Sequence, residues 1–376
     1  MDALFPLSDT QALMQDSLSR WLQDHAPFER RAGLLATPEA ITPLWTGLTQ
    51  SLGLLGAALP EESGGLGGGL ADHLVILQAL GHALLPEPYA ACVVTGAGLL
   101  QRLPGERPRQ LLAGVADGTV RPVLAALEPS ARHDLSQVST TVRSVDGASW
   151  LSGRKAVVRA APYATHWLVS ARDEAGTLRL ALVRPDASGI SRRDLRLADG
   201  GWAAELAFDA TPAEALLGDA GTDLLPLLLQ AADEALLAAG AEAVGVMQRL
   251  MHDTLDYVRQ RKQFGTAIAN FQVLQHRMVD MFMNVEQSVS MTYMATLKLD
   301  ESDAERAKAV SAAKVQIGKA CKFVGQNAIQ IHGGMGMTDE LAVGHYFKRA
   351  TMIEGLFGSV DHHLRRYETL SFGKAA

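Results

Sequence analysis

Three clusters of residues have side chains and spacings suited to chemistry. Gln330 lies one turn before Gly333-Gly334, in QIHGGMG, at the end of a run in which Val310, Ala313, Ile317, Ala320, Val324, Ala328 and Ile331 recur at helical spacing. A double glycine ending a helix admits positive φ and lets a ligand approach the main chain, with the Gln330 amide beside it. Arg261 falls on the last turn of an earlier helical stripe and is followed by Gln263, Phe264 and Gly265. A guanidinium there can fork onto a pyrophosphate, and the next ring can cover an aromatic ligand. The bland alternatives are a helix C-cap and a solvated cation that suits the helix dipole. The third cluster is Glu354, Ser359 and Asp361, with Glu242 and Asp233-Glu234 further back. A carboxylate becomes a base for a carbon acid only when desolvation raises its pKa and it lies within reach of the proton. Asp361 also fits the first turn of a helix capped by Ser359. His332, His345, His362 and His363 suggest metal binding only weakly, because adjacent His362 and His363 cannot share a helix face.

The elements that must position these residues fall into three stretches. Residues 8–117 read as helices, with Leu13, Leu18 and Leu22 on one face and Leu74, Leu77, Leu80 and Leu84 on another. Between them Pro60 and five glycines (Gly64, Gly65, Gly67, Gly68, Gly69) lack the lysine and hydroxyl of a phosphate loop and read as a flexible connector. From about Arg121 the period shortens. Runs rich in Val, Thr and Trp (140–145, 156–159, 167–171, 178–183, 205–208) between Gly, Pro and Asp turns predict a small β-domain. After Pro226 two apolar stripes follow, Val244 to Val258 and Leu274 to Thr292, and Ser302 to Glu305 reads as a capping box opening a third long helix. With a short last helix these describe a four-helix bundle. The expected organisation is α+β: an N-terminal helical domain (1–118), a middle β-barrel domain (119–217) and a C-terminal four-helix bundle (218–376).

With 34 basic and 41 acidic residues among 376, the formal charge of −7 disfavours a nucleic-acid partner. Hydrophobic content of 48% with 20% charged suits a globular chain with sizeable cores. The two cysteines, Cys92 and Cys321, cannot form a metal cage by themselves and read as core thiols. The opening stretch has no basic and apolar leader pattern, and nowhere is there a run of about 18 apolar residues, so a cytoplasmic protein without a membrane span is expected.

QIHGGMG, then HYFKRA and the Gly358-Ser359 pair, together with YVRQRKQFGTAIANFQVLQHRMVDM (257–281), resemble the two C-terminal signatures of the acyl-CoA dehydrogenase family. The resemblance spans essentially the whole chain, including Leu127-Glu128-Pro129 and Gly153-Arg154-Lys155 in the β-domain. It implies FAD bound across a subunit interface, through Arg261, Gln263, Phe264, Gln330, Gly333, Gly334 and Ser359. It also implies an acyl-CoA substrate, an electron-transfer flavoprotein or similar acceptor, and a dimer or tetramer built on residues 226–334. In that chemistry a base removes an α-proton of the thioester while hydride leaves the β-carbon for the flavin. Counted without a gap from Gln330, the family's usual glutamate position holds Phe357, and the alternative position on the earlier helix holds Ala235. Asp361 is then the candidate base. The alternatives are a non-catalytic partner that completes the flavin site of a second dehydrogenase-like chain, and a flavin monooxygenase on the same fold.

Overall fold

The computed structural model describes residues 7–85 and 88–373, so the first six residues of the opening stretch lie outside it. In chain order, α1 (Asp9–His25), α2 (Arg31–Leu34), α3 (Thr42–Gln50), α4 (Leu70–His82), a π-helical segment (Ala90–Ala97), α5 (Gly98–Gln101) and α6 (Glu106–Ala116) come first. Eight strands follow: β1 (Pro122–Ala125), β2 (Thr141–Val145), β3 (Ala148–Arg159), β4 (His166–Arg172), β5 (Leu178–Val183), β6 (Ile190–Arg196), β7 (Trp202–Ala213) and β8 (Ala215–Leu217). The rest is α7 (Leu225–Gln260), a ribbon of β9 (Lys262–Gln263) and β10 (Thr266–Ala267), then α8 (Gln272–Thr296), α9 (Asp303–His332), α10 (Ala342–Gly355) and α11 (Val360–Phe372). The class is α+β, as the periodicities imply.

Two compact units result. One comprises Ala32–His73 and Pro86–Ala235, the other Met1–Arg31, Leu74–Leu85 and Leu236–Ala376. In the first, the sheet runs β6-β7-β3-β2-β4-β5-β8, with β1 parallel to β4. Strand β5 and all of β4 but its last residue are buried, which fits their near-continuous apolar runs. Strand β6, ISRRDLR, is largely exposed at the sheet edge. Its charges hide it from a search for alternating apolar residues, yet they are what an edge strand uses to discourage pairing with other chains.

The glycine stretch before α4 is not a flexible connector. Leu66, Gly67 and Gly68 donate their N–H groups to the carbonyls of Gly56, Leu59 and Ala57, and Gly69 N–H reaches Asp72. A Cβ at Gly65 would lie 2.1 Å from the Leu59 carbonyl oxygen, so these glycines serve close backbone approach.

In the second unit, the α9 stripe from Val310 to Ile331 is buried as the spacing requires. Leu18 and Leu22 of α1 are buried too, but Leu13 is 66% exposed and does not share their packing. At Ser302 the cap is one-sided: its hydroxyl accepts from Glu305 N–H at 3.4 Å. The chain ends in two short helices, α10 and α11, rather than one. They approach α9 at Gly318, where an added Cβ would meet Val360 Cγ2 at 2.7 Å and Glu354 Cγ at 3.5 Å. Both cysteines are buried free thiols, and burial pushes Cys321 up to about 12.

Candidate functional site

The predicted ligand-facing residues of the second unit form two separate patches. At the bundle end, α7 stops at Gln260, one residue short of the expected end, and Arg261 follows directly with its N–H on the Tyr257 carbonyl. A two-residue hairpin turn comes next, with positive φ at Phe264 (52°) and Gly265 (81°). The turn thrusts the Phe264 ring out to 93% exposure, touching only Phe271 edge-on among the described rings. Tyr257 joins this end to the glycine turn: its hydroxyl donates to the His332 carbonyl at 3.3 Å, and its ring stacks on His332 at 4.3 Å. That clamp was not read from the sequence, although an aromatic one turn before Arg261 and a histidine before Gly333 are its visible signal.

Gly333 takes φ +59°, and both it and Gly334 have open space where a Cβ would stand. The side chains of Arg261 and Gln330 are exposed and make no hydrogen bond within the described residues. A free guanidinium, a free amide, an open glycine turn and an exposed ring therefore gather at one end of the bundle. This set suits the diphosphate and ring of a flavin dinucleotide.

The second patch is the link between α10 and α11. Gly318, against which Val360 packs, lies about 18 Å along α9 from Gln330 at 1.5 Å per residue, so Ser359 is not brought to the glycine turn. Ser359 caps α11, its hydroxyl accepting from His362 N–H. Phe357 has φ +56° and is 38% exposed; positive φ on a bulky side chain is strained.

Burial and pairing separate the carboxylates. Glu242 is no surface group: both its oxygens accept from Arg349 at 2.6 Å, tying α7 to α10. Glu354 accepts from Val360 N–H at 3.3 Å. Glu234 pairs with Arg102 at 2.6 Å, and its neighbour Asp233 is buried. Asp361 is exposed in the first turn of α11 and has no partner among the described residues. Among the described residues no group of histidines, cysteines and carboxylates is arranged to hold a metal.

In the first unit, the two motif fragments meet as one buried ion pair. Glu128 accepts from Lys155 at 2.8 Å and from the backbone and hydroxyls of Ser139 and Thr140. Burial alone would raise the Glu128 carboxyl, but these donors hold it down at about 2. Burial pulls Lys155 down to about 8 against the opposing pull of Glu128. The pair stays charged, and Lys155 also reaches Ala126 O and Ser170. Its work is to hold the 126–140 segment against β3. Beside it, Val157 sits at φ +47° within an irregularity of the β3–β7 pairing.

Models of three domains match the chain in order: acyl-CoA dehydrogenase N-terminal domain over residues 8–118, middle domain over 124–211 and C-terminal domain over 227–367. A probable acyl-CoA dehydrogenase of Bacillus subtilis, YngJ, is 30% identical over 81% of this chain and 83% of its own. The chain belongs to the acyl-CoA dehydrogenase family. IpdE2 of Mycolicibacterium smegmatis, an acyl-CoA dehydrogenase, is 27% identical over 97% of this chain and all of its own. Among solved structures, a variant of the steroid ACAD Tcur3481-Tcur3483 has 31% identity and a TM-score of 0.87, covering 96% of this chain and 97% of that one. The ChsE4-ChsE5 complex of Mycobacterium tuberculosis has 25% identity and a TM-score of 0.88 over the full length of both chains. Family membership makes the chain an oxidoreductase of acyl-CoA thioesters, of a family that uses FAD. No helix among the described residues is long and apolar enough to cross a membrane.

Proposed function

We propose that this chain contributes to FAD-dependent α,β-dehydrogenation of an acyl-CoA thioester as one subunit of an oligomer, and that its partner is a dehydrogenase-like chain carrying the carboxylate base. The observation that carries this reading is Phe357 at the family's base position, in a link whose backbone is held in place while its side chain has no proton acceptor. Two of the most similar solved structures are of complexes or paired chains by name, which supports a second chain.

The residues of this chain would then act as follows. Arg261 and Gln330 bind the cofactor's diphosphate through a charge-assisted fork and an amide, Gly333 and Gly334 leave room for its approach, and Gln263 and Phe264 complete the contacts at this end, while Ser359 serves as the cap of α11. The flavin, when bound, supplies the acceptor for the β-hydride. Phe357 excludes water from the reacting carbons but takes no proton. Asp361 is the one carboxylate near position 357 without a partner among the described residues, so it is the base if this chain has one. Val279, Phe282, Met283 and Tyr293 leave an exposed apolar face on α8, continued by exposed Leu297 just past its end, which supports assembly as a dimer or tetramer. The reading also takes the chain to be cytoplasmic and an electron-transfer flavoprotein or similar acceptor to reoxidise the complex.

The test is to purify the chain alone and co-expressed with a candidate partner, then measure flavin content and sedimentation. Yellow protein in an oligomer, with bleaching by acyl-CoA dependent on the partner, is expected. A monomer at micromolar concentration that binds flavin and turns over unaided would overturn it.

A further inference from the structure

Beneath the α10–α11 link lies a cluster that the reading above does not use. Lys314 of α9 is buried, and its Nζ donates to the Ile353 carbonyl at 2.5 Å, the same oxygen that takes the Leu356 N–H. His363 of α11 is 1% exposed. Its Nε2 lies 3.0 Å from the Phe357 carbonyl and its Nδ1 3.3 Å from Ser311 Oγ. The carbonyl can only accept, so Nε2 carries the proton and Nδ1 accepts from the serine. Glu354 takes Val360 N–H across the same link. At Gly358, with φ +117°, a Cβ would lie 2.5 Å from His362 Cδ2, so only glycine fits between the clamps.

We infer that Lys314 and His363 are positioning residues for the side chain at 357, fixing the link from below so that any residue there is presented at one place. The inference rests on the reading of 357 as the base position. A four-residue connection between two helices needs no bulky residue at positive φ, and strain of that kind persists only where surrounding contacts over-determine it. Here both clamped carbonyls are main-chain groups, Ile353 in the last turn of α10 and Phe357 at the strained position itself, so the clamps constrain backbone and are indifferent to the side chain. A buried ammonium is also a costly choice where a methionine of similar length would fill the space.

Hydrogen exchange of the Leu356 and Val360 amides, both hydrogen-bonded across the link, tests this without flavin. Lys314→Met and His363→Leu should each speed exchange there at least tenfold while the middle of α9 keeps its protection, and His363→Gln, which returns an N–H donor, should restore it. Phe357→Gly should raise Tm in the native background by relieving strain, and should lose that gain when combined with His363→Leu. In a flavin-loaded Phe357→Glu background, the pH midpoint of bleaching by acyl-CoA should move with His363→Leu and return with His363→Gln. Unchanged exchange, with the same Tm gain from Phe357→Gly in both backgrounds, overturns the inference. Faster exchange in the variants with no bleaching by Phe357→Glu at any pH keeps the clamps and refutes 357 as a base position.

Discussion

Phe264 and Phe357 both hold positive φ, 52° and 56°, yet one is 93% exposed and the other 38%. The first sits on a hairpin tip beside free Arg261 and Gln330 side chains. The second sits on a link whose carbonyl is held by buried His363. At the bundle end, then, the Arg261 and Gln330 side chains have no hydrogen-bond partner among the described residues. At the α10–α11 link the Ile353 and Phe357 carbonyls and the Val360 N–H are engaged, and the side chain of Phe357 carries no proton acceptor. On the proposed reading, binding chemistry lies at one patch, and the other presents a clamped backbone without a proton acceptor.

Substitutions should separate the two. The largest effect on stability is expected at the scaffold behind the link: Arg349→Met leaves Glu242 buried without its fork and should cost about 3 kcal/mol by denaturant unfolding, the scale of breaking a buried pair. A loss below about 1 kcal/mol would show that water solvates Glu242 freely. Arg261→Ala should leave stability unchanged and weaken flavin binding by about 10- to 150-fold, the equivalent of about 1.5 to 3 kcal/mol for one charge-assisted fork, measured by flavin fluorescence on dilution. Equal flavin retention would remove the bundle end from the cofactor site. Ser359→Ala should cost about 1 kcal/mol as a lost N-cap.

The last effect is absent at neutral pH, appears only on acidification and belongs to the link alone. Burial, only partly offset by its hydrogen bond to the Phe357 carbonyl, lowers His363 from 6.5 to about 3. Between those values the unfolded chain binds a proton that the folded chain does not. Stability should therefore fall as pH drops from about 6.5 towards 3, and His363→Gln should flatten that slope. An identical acid profile in the variant would show that His363 is already protonated in the fold.

Much of this was legible in the residues. The α9 stripe, the glycine turn and the Arg-Lys-Gln-Phe-Gly knuckle all rest on local signals, namely helical period and backbone freedom, and the structure has them where the spacing puts them. The clamps were not legible, because Tyr257 with His332, Lys314 with Ile353 and Glu242 with Arg349 join residues 39 to 107 positions apart in the chain. No periodicity encodes such pairs. Leu13 misled for a related reason: it has the right spacing for a buried face, but packing against other elements decides burial. The glycines before α4 misled because flexibility and close approach require the same residue type.

We propose that the α10–α11 link holds position 357 as a base position while Phe357 itself supplies no base. The most direct measurement compares anaerobic flavin bleaching by acyl-CoA in the flavin-loaded chain alone, as native protein and as Phe357→Glu. A positioned general base contributes a factor of about 100 to 10,000 in rate, so the variant should bleach at least about 100-fold faster than the native chain. Fast bleaching by the native chain that Phe357→Glu does not improve, and that survives Asp361→Asn, would contradict the account.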